Sequence, residues 1–504
     1  MLYIEQLKDR YQLIIGYVGT IIMGIGIALL LPLLLLPIYR TEINEIGYFI
    51  VPSLAAIVLG YGMKRVMRYG EDATLTLHEG GVIVLWAWFS ASIFSAMPFI
   101  LSGKLNFTQA MFEAVSGLTT TGLSVVDVTK TSHLFLFWRS LMQFIGGAGL
   151  AVIMLSAIIG PHGLGLYHAE GRSDKLLPNV ARSTKLIMII YIGYIASGTI
   201  LYILAGMPWF DSINHSIAAV STGGFSTEPA SIGAYESLPI EFITLILMLL
   251  GTTNFAAHYV LLKGEIKRFF QIGEIRFMFL ALAIAIPFTA YFSLFKLYGA
   301  VGKGIRVAVF ELTSALTTTG FSTVGYGDWN SFGIFIMIIL MIIGGGAGST
   351  AGGLKQYRVY IMLKSLIWNI KGYLLPQNVV RQNYVVRPEG KYYVSQDHAL
   401  EISNFAMLYM ITYAAGVLVM LAYGYPLQDS MFEYASSLGT VGLSVGVTAP
   451  DAPGVVLWTQ TVGMMLGRLE FLVVFFAGLK MIRDLRFIRK KKSVDVSINR
   501  KKYQ

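Results

Sequence analysis

The chain of 504 residues has no cysteine, only 15 prolines, and charged side chains at 13% of its positions. Without cysteine there can be no disulfide, thiolate metal site or cysteine nucleophile. So little charge, against 55% hydrophobic residues in long blocks, excludes an ordinary soluble domain and a disordered chain. The HExxH, GxSxG and phosphate-cradling GxxxxGKS/T patterns are also missing, and no carboxylate pair stands inside an apolar block away from the short segments described below, which argues against an enzyme. Neither GIG at Gly24 nor GLG at Gly163 sits in a strand-turn-helix context, so no dinucleotide fold is expected. His162 and His168 lie in a basic loop without a second ligand cluster, and no metal is assigned to them. The net charge of +10 does not indicate nucleic acid, because the bases occupy loops between apolar blocks rather than one face.

At ~20 apolar residues per crossing, ten spans are expected, near Leu13–Ile38, Gly47–Val66, Gly81–Leu101, Leu134–Ile158, Leu186–Gly206, Phe242–Leu262, Phe277–Leu297, Gly333–Leu363, Ile402–Ala422 and Val455–Met481. The first is too long for a signal-peptide core and reads as a spanning helix, not a cleaved leader. Aromatics such as Trp86, Trp88 and Trp138 suit interfacial belts. Most of the 38 Lys and Arg fall in loops after an even number of crossings or at the termini, which predicts an inner-membrane protein with both ends cytoplasmic.

Between four consecutive pairs of spans lie shorter segments near 106–124, 211–226, 305–322 and 429–444, all entering from outside. Aligned on one glycine they repeat: MFEAVSGLTTTGLS from Met111, INHSIAAVSTGGFS from Ile213, VFELTSALTTTGFS from Val309 and MFEYASSLGTVGLS from Met431. The aligned glycines are Gly122, Gly224, Gly320 and Gly442. The repeat runs on into the next helices, where IGGAG at Ile145 and IGGGAG at Ile343 stand equally far beyond Gly122 and Gly320. Small residues also serve merely to pack membrane helices. Four copies in register instead favour strands around one axis, since non-helical backbone at membrane depth must line a cavity or be buried in protein. Their carbonyls could then replace the hydration shell of a cation. The fold class expected is an all-α membrane protein with ten transmembrane helices: four helix, pore-loop, helix repeats around one pore, plus two extra N-terminal helices.

These motifs resemble the Trk/Ktr/HKT superfamily of potassium transporters and, within it, the TrkH-type pore subunit. The resemblance is carried by TTTGLS, STGGFSTE, TTTGFST and GTVGLS, by NFAAHY from Asn254, GGGAGSTAGG from Gly344 and GRLEF from Gly467. It implies a potassium filter made by Thr120, Thr121, Gly122 and Leu123, by Thr222, Gly223, Gly224 and Phe225, by Thr318, Thr319, Gly320 and Phe321, and by Thr440, Val441, Gly442 and Leu443. It implies potassium as substrate and no cofactor in the chain. It further implies a homodimer with one pore per protomer, embedded in membrane lipid and controlled by a ring of cytosolic, TrkA-like nucleotide-binding subunits. Glycine at Gly122 accompanies potassium selectivity in the family. A cation-coupled potassium or sodium symporter on the same scaffold is the alternative. The expected layout is 1–70 for two N-terminal helices, 71–160 for repeat one, 161–264 for repeat two, 265–372 for repeat three, 373–397 for a cytoplasmic linker, 398–482 for repeat four and 483–504 for a basic tail. The family's nucleotide control would act in trans.

Thr323–Asp328 reads TVGYGD, the filter signature of tetrameric potassium channels. That register is rejected because the other repeats place their glycine level with Gly320, which leaves Thr323–Asp328 as an outer mouth loop. Glu113, Glu311 and Glu433 share one position with His215; they form either a cation-attracting ring or hydrogen-bonded groups near the starts of the short helices. Asn254, His258 and Tyr259 either line the path or pack helices. Finally, a helix from Ser331 would meet Gly344, Gly345, Gly346, Ala347, Gly348, Ser349, Thr350, Ala351, Gly352 and Gly353 about 20 Å into a core of ~30 Å. It must break there against a cavity, so this loop is expected to occlude the path below the filter. Arg468 stands as far beyond Gly442 as Gly346 beyond Gly320, and serves either as an electrostatic barrier beside the loop or as its structural anchor. Loop carbonyls are expected to hold it better than Glu470.

Overall fold

In the computed structural model, the residues described are 2–67, 76–149, 180–374 and 382–469, with 471, 474–475, 477–484 and 486. The sequence readings at His162, Gly163, His168 and Glu470, and most of the basic tail, lie outside them. The chain is built almost wholly of helices: α1 Leu2–Ala28, α2 Ile46–Arg65, α3 Leu77–Leu101, α4 Phe107–Leu118, α5 His133–Ala148, α6 Val180–Leu204, α7 Trp209–Val220, α8 Leu238–Thr252, α9 Phe255–Leu262, α10 Gly273–Thr289, α11 Val301–Thr317, α12 Ser331–Ile343, α13 Gln356–Tyr373, α14 Gln396–Ala422, α15 Leu427–Leu438 and α16 Gly454–Leu469. An antiparallel hairpin, β1 Tyr384–Arg387 and β2 Gly390–Tyr393, precedes α14.

Among the described residues six helical stretches are long and apolar enough to cross a membrane, or seven if α8 and α9 count as one span bent by 109°. The bend falls at Thr253 and Asn254, where the Asn254 side chain caps α9 by accepting from Ala256 N at 2.7 Å. Some of the other starts are marked in the sequence. Thr76 and Glu79 form a capping box at α3, as do Asn106 and Gln109 at α4. Each such cap contributes about 1 kcal/mol.

The short helices α4, α7, α11 and α15 are buried over most of their length. Around them three large clusters of apolar side chains form, one from α1 to α5, one around α6 to α8 and one from α10 to α16. Many large apolar residues on the outer helices are exposed, including Val58, Leu204, Tyr291 and Leu418. Apolar side chains thus face outward as well as inward, while polar groups such as Glu113, Glu311 and Glu433 are kept buried, the arrangement lipid demands.

The expected break after Ser331 is observed. α12 ends at Ile343, Gly344 takes a positive φ of 70°, and helix resumes only at Gln356.

Candidate functional site

Each short helix ends in the same turn. Thr120, Thr222, Thr318 and Thr440 have φ of 56°, 52°, 54° and 50°, and the glycines two residues on, Gly122, Gly224, Gly320 and Gly442, have φ of 91°, 69°, 82° and 102°. A β-branched residue rarely enters the left-handed region, so four threonines doing so at one repeat position show a backbone held in place by its surroundings. Their amides bond back to the preceding helix, Thr120 N to Gly117 O at 3.1 Å and Thr440 N to Ser437 O at 3.1 Å. The helix C-termini, with their partial negative charge, therefore run directly into these turns.

The four turns close on one another. A Cβ added to Gly122 would overlap the carbonyl oxygen of Gly223, one on Gly224 that of Thr319, one on Gly320 that of Val441, and one on Gly442 that of Thr121. The contacts thus pass from first turn to second, third, fourth and back to first. Only a residue without Cβ fits at these four positions, for reasons of both φ and space.

Buried side chains hold the ring from behind. The Glu113 carboxylate accepts from Ser124 Oγ at 3.0 Å, Val125 N at 3.1 Å and Arg139 Nε at 2.8 Å. Glu433 accepts from Ser444 Oγ at 2.8 Å, Val445 N at 3.0 Å and Thr448 N at 2.9 Å. Glu311 accepts from Thr323 N and Thr323 Oγ1, each at 2.7 Å, and from Tyr326 Oη at 2.5 Å. In the second turn His215 Nε2 lies 3.0 Å from Ser226 Oγ. All four groups are fully buried midway along their helices, not near the starts, and each secures the chain just past its glycine. The hydrogen-bonded reading of these positions therefore describes their geometry. Thr323–Asp328 wraps Glu311, and neither Gly325 nor Gly327 is among the positive-φ glycines.

A serine adds a second brace. Ser116 Oγ donates to Leu123 O at 2.5 Å and accepts from Gly122 N at 3.1 Å, while Ser314 Oγ donates to Phe321 O at 2.6 Å. The carbonyls of Leu123 and Phe321 are thus engaged from behind. Sequence reasoning did not single out these serines, although Ser116, Ser314 and Ser436 recur in register and Ala218 breaks the series.

The loop Gly344–Gly353 lies against three of the four turns. Thr350 Oγ1 is 3.1 Å from Thr222 Oγ1, Gly352 N donates to Thr318 Oγ1 at 2.9 Å, and a Cβ on Gly352 would overlap Thr440 Oγ1. The loop is secured laterally, with Gly346 N donating to Thr252 O at 3.0 Å, Thr350 Oγ1 to Gly251 O at 2.9 Å and Ala347 N to Glu274 Oε1 at 3.2 Å. Arg468 donates to Thr350 O and, at 2.6 Å, to Gly146 O, so it joins the loop to α5. His258 instead bonds Leu250 O at 2.9 Å and Tyr194 Oη at 3.0 Å, the packing alternative, and Tyr259 lies under Lys263 Nζ.

A transport family is recognisable in this chain as a whole. Residues 53–484 match the model of the TrkH family, described as cation transport protein, and the chain belongs to that family. It is 31% identical to an uncharacterized cation transporter of Methanocaldococcus jannaschii, over 96% of this chain and 98% of that one. It is 30% identical to the Trk system potassium uptake protein TrkH of Escherichia coli K12, over 92% and 97%. The crystal structure of the potassium transporter TrkH from Vibrio parahaemolyticus superposes with a TM-score of 0.81 at 25% identity, covering 93% of this chain and 98% of that one. The chain is therefore a membrane transporter and not an enzyme.

Proposed function

We propose that this protein takes up potassium through a pore surrounded by the four Thr-Gly turns, with the ten-span, four-repeat layout and the domain limits set out above. The observation that carries the reading is the closed cycle of contacts between the glycines Gly122, Gly224, Gly320 and Gly442 and the carbonyls of the neighbouring turns. Such a ring offers only oxygen ligands, from the carbonyls between Thr120 and Gly122 and their counterparts and from the Thr hydroxyls, and Thr440 Oγ1 is buried without a partner. Carbonyl rings suit a cation that has shed its water. Potassium is favoured by the relatives named for its uptake and by glycine at all four aligned positions.

The loop Gly344–Gly353 is the closed gate in this reading, and Arg468 holds it closed through Thr350 while adding positive charge to the path. Both termini are cytoplasmic, two protomers associate, and a cytosolic nucleotide-binding ring pulls the loop aside. The test is ion replacement with purified protein in planar bilayers. Potassium-selective currents that rise with voltage are expected. Flux that saturates and requires a second cation gradient would instead support a symporter, and no potassium-dependent signal would overturn both.

A further inference from the structure

The second turn is the divergent one, with His215 for glutamate, Ala218 for serine, and Gly223 where the other turns carry Thr121, Thr319 or Val441. It has lost the brace that Ser116 supplies to the first turn. Two side chains one helical turn apart on α5 bond to the second turn. Gln143 Nε2 donates to Gly223 O at 2.5 Å, and Gln143 Oε1 accepts from Phe225 N at 3.3 Å. Ser116 Oγ holds Leu123 O and Gly122 N of the first turn, whereas this donor and acceptor pair holds two other backbone groups of the second turn, Gly223 O and Phe225 N. A Cβ on Gly223 would fall on the Gln143 carboxamide, so Gln143 fills the space of the missing side chain. Arg139, ion-paired to Glu113, donates through Nη1 to Ser226 O at 3.1 Å and through Nη2 to Ser124 Oγ at 2.9 Å. Its guanidinium also lies 4.0 Å from the Phe225 ring centroid. Both residues are almost fully buried.

We propose that Gln143 and Arg139 are positioning residues that set the second turn from the first repeat, so that discrimination between cations depends on them through the Gly223 and Ser226 carbonyls. This rests on the reading of the turns as a filter. It also explains part of the divergence: Gly223 leaves the space that the Gln143 carboxamide fills, so this change is the complement of α5.

The experiment measures the potassium-to-sodium permeability ratio from reversal potentials of full-length protein. The variants are Gln143→Ala, Gln143→Glu, Arg139→Lys, Gly223→Thr and the double Gln143→Ala/Gly223→Thr, with Gly122→Ser as a filter control. Gln143→Glu keeps the volume of the side chain, so it decides the matter if Gln143→Ala fails to fold. Losing one brace is expected to lower the ratio about fivefold, the factor that one hydrogen bond represents. Gly223→Thr should damage the wild type yet recover part of the ratio when Gln143 is alanine, a reversal of sign that general destabilisation does not produce. If Gly122→Ser lowers the ratio while Gln143→Glu and Gln143→Ala leave it unchanged, this proposal is overturned and the filter stands. If none of them moves it, the filter reading fails and this proposal with it.

Discussion

Replacing Gly122 by serine tests the ring at its most constrained point. At φ of 91° an L side chain is strained by about 1–2 kcal/mol. The new Cβ would also overlap Gly223 O, backbone on the neighbouring turn that Gln143 holds, so relief requires that carbonyl to retreat by roughly 1 Å toward ordinary contact. A shift of that size changes an oxygen cage enough to alter the preference for one alkali cation by about 1.4 kcal/mol or more, which is about tenfold in the permeability ratio. The protein should still fold, because the strain is small beside the helix packing around it. Reversal potentials in mixed potassium and sodium are the assay, with size-exclusion and melting profiles as the folding check. The equivalent step at Gly320, facing Val441 O, should act in the same direction. An unchanged ratio in both Gly122→Ser and Gly320→Ser, in protein that elutes and melts normally, refutes the filter reading.

Shortening the loop within Gly345–Gly352, or making Arg468→Ala, removes the contact through Thr350 O and should raise resting potassium flux in liposomes; wild-type or lower flux from both variants would show that neither is a barrier. Tyr326→Phe leaves Glu311 with only its two bonds from Thr323, so a loss of about 1–3 kcal/mol is expected, read as a lower melting temperature, with no change indicating that Tyr326 is not a brace. Neutralising several bases among Lys263, Lys267, Arg268 and Lys355 should abolish co-purification with a cytosolic nucleotide-binding protein; absence of any complex with the unaltered chain under all nucleotide conditions would count against the partner.

The glycines were legible because two independent demands fall on one atom. A missing Cβ is needed both for positive φ and for the approach of the next turn, and Gly122, Gly224, Gly320 and Gly442 therefore share one letter. The break after Ile343 was legible for a similar reason, since hydropathy continues across Gly344 while helix propensity collapses. The buttress was not. Glu113, Glu311 and Glu433 align, yet the donor that completes each set differs in kind: Arg139 comes from α5, 26 positions beyond its glutamate, whereas Tyr326 and Thr448 come from the loops after their own turns, each 15 positions beyond. Periodicity along a chain reports constraints imposed by the backbone on itself. Constraints met by a neighbour leave only a gap in the pattern. Gly223 is such a gap, and the carboxamide of Gln143 fills it, so the repeat that matches worst in sequence is still held by hydrogen bonds to its backbone.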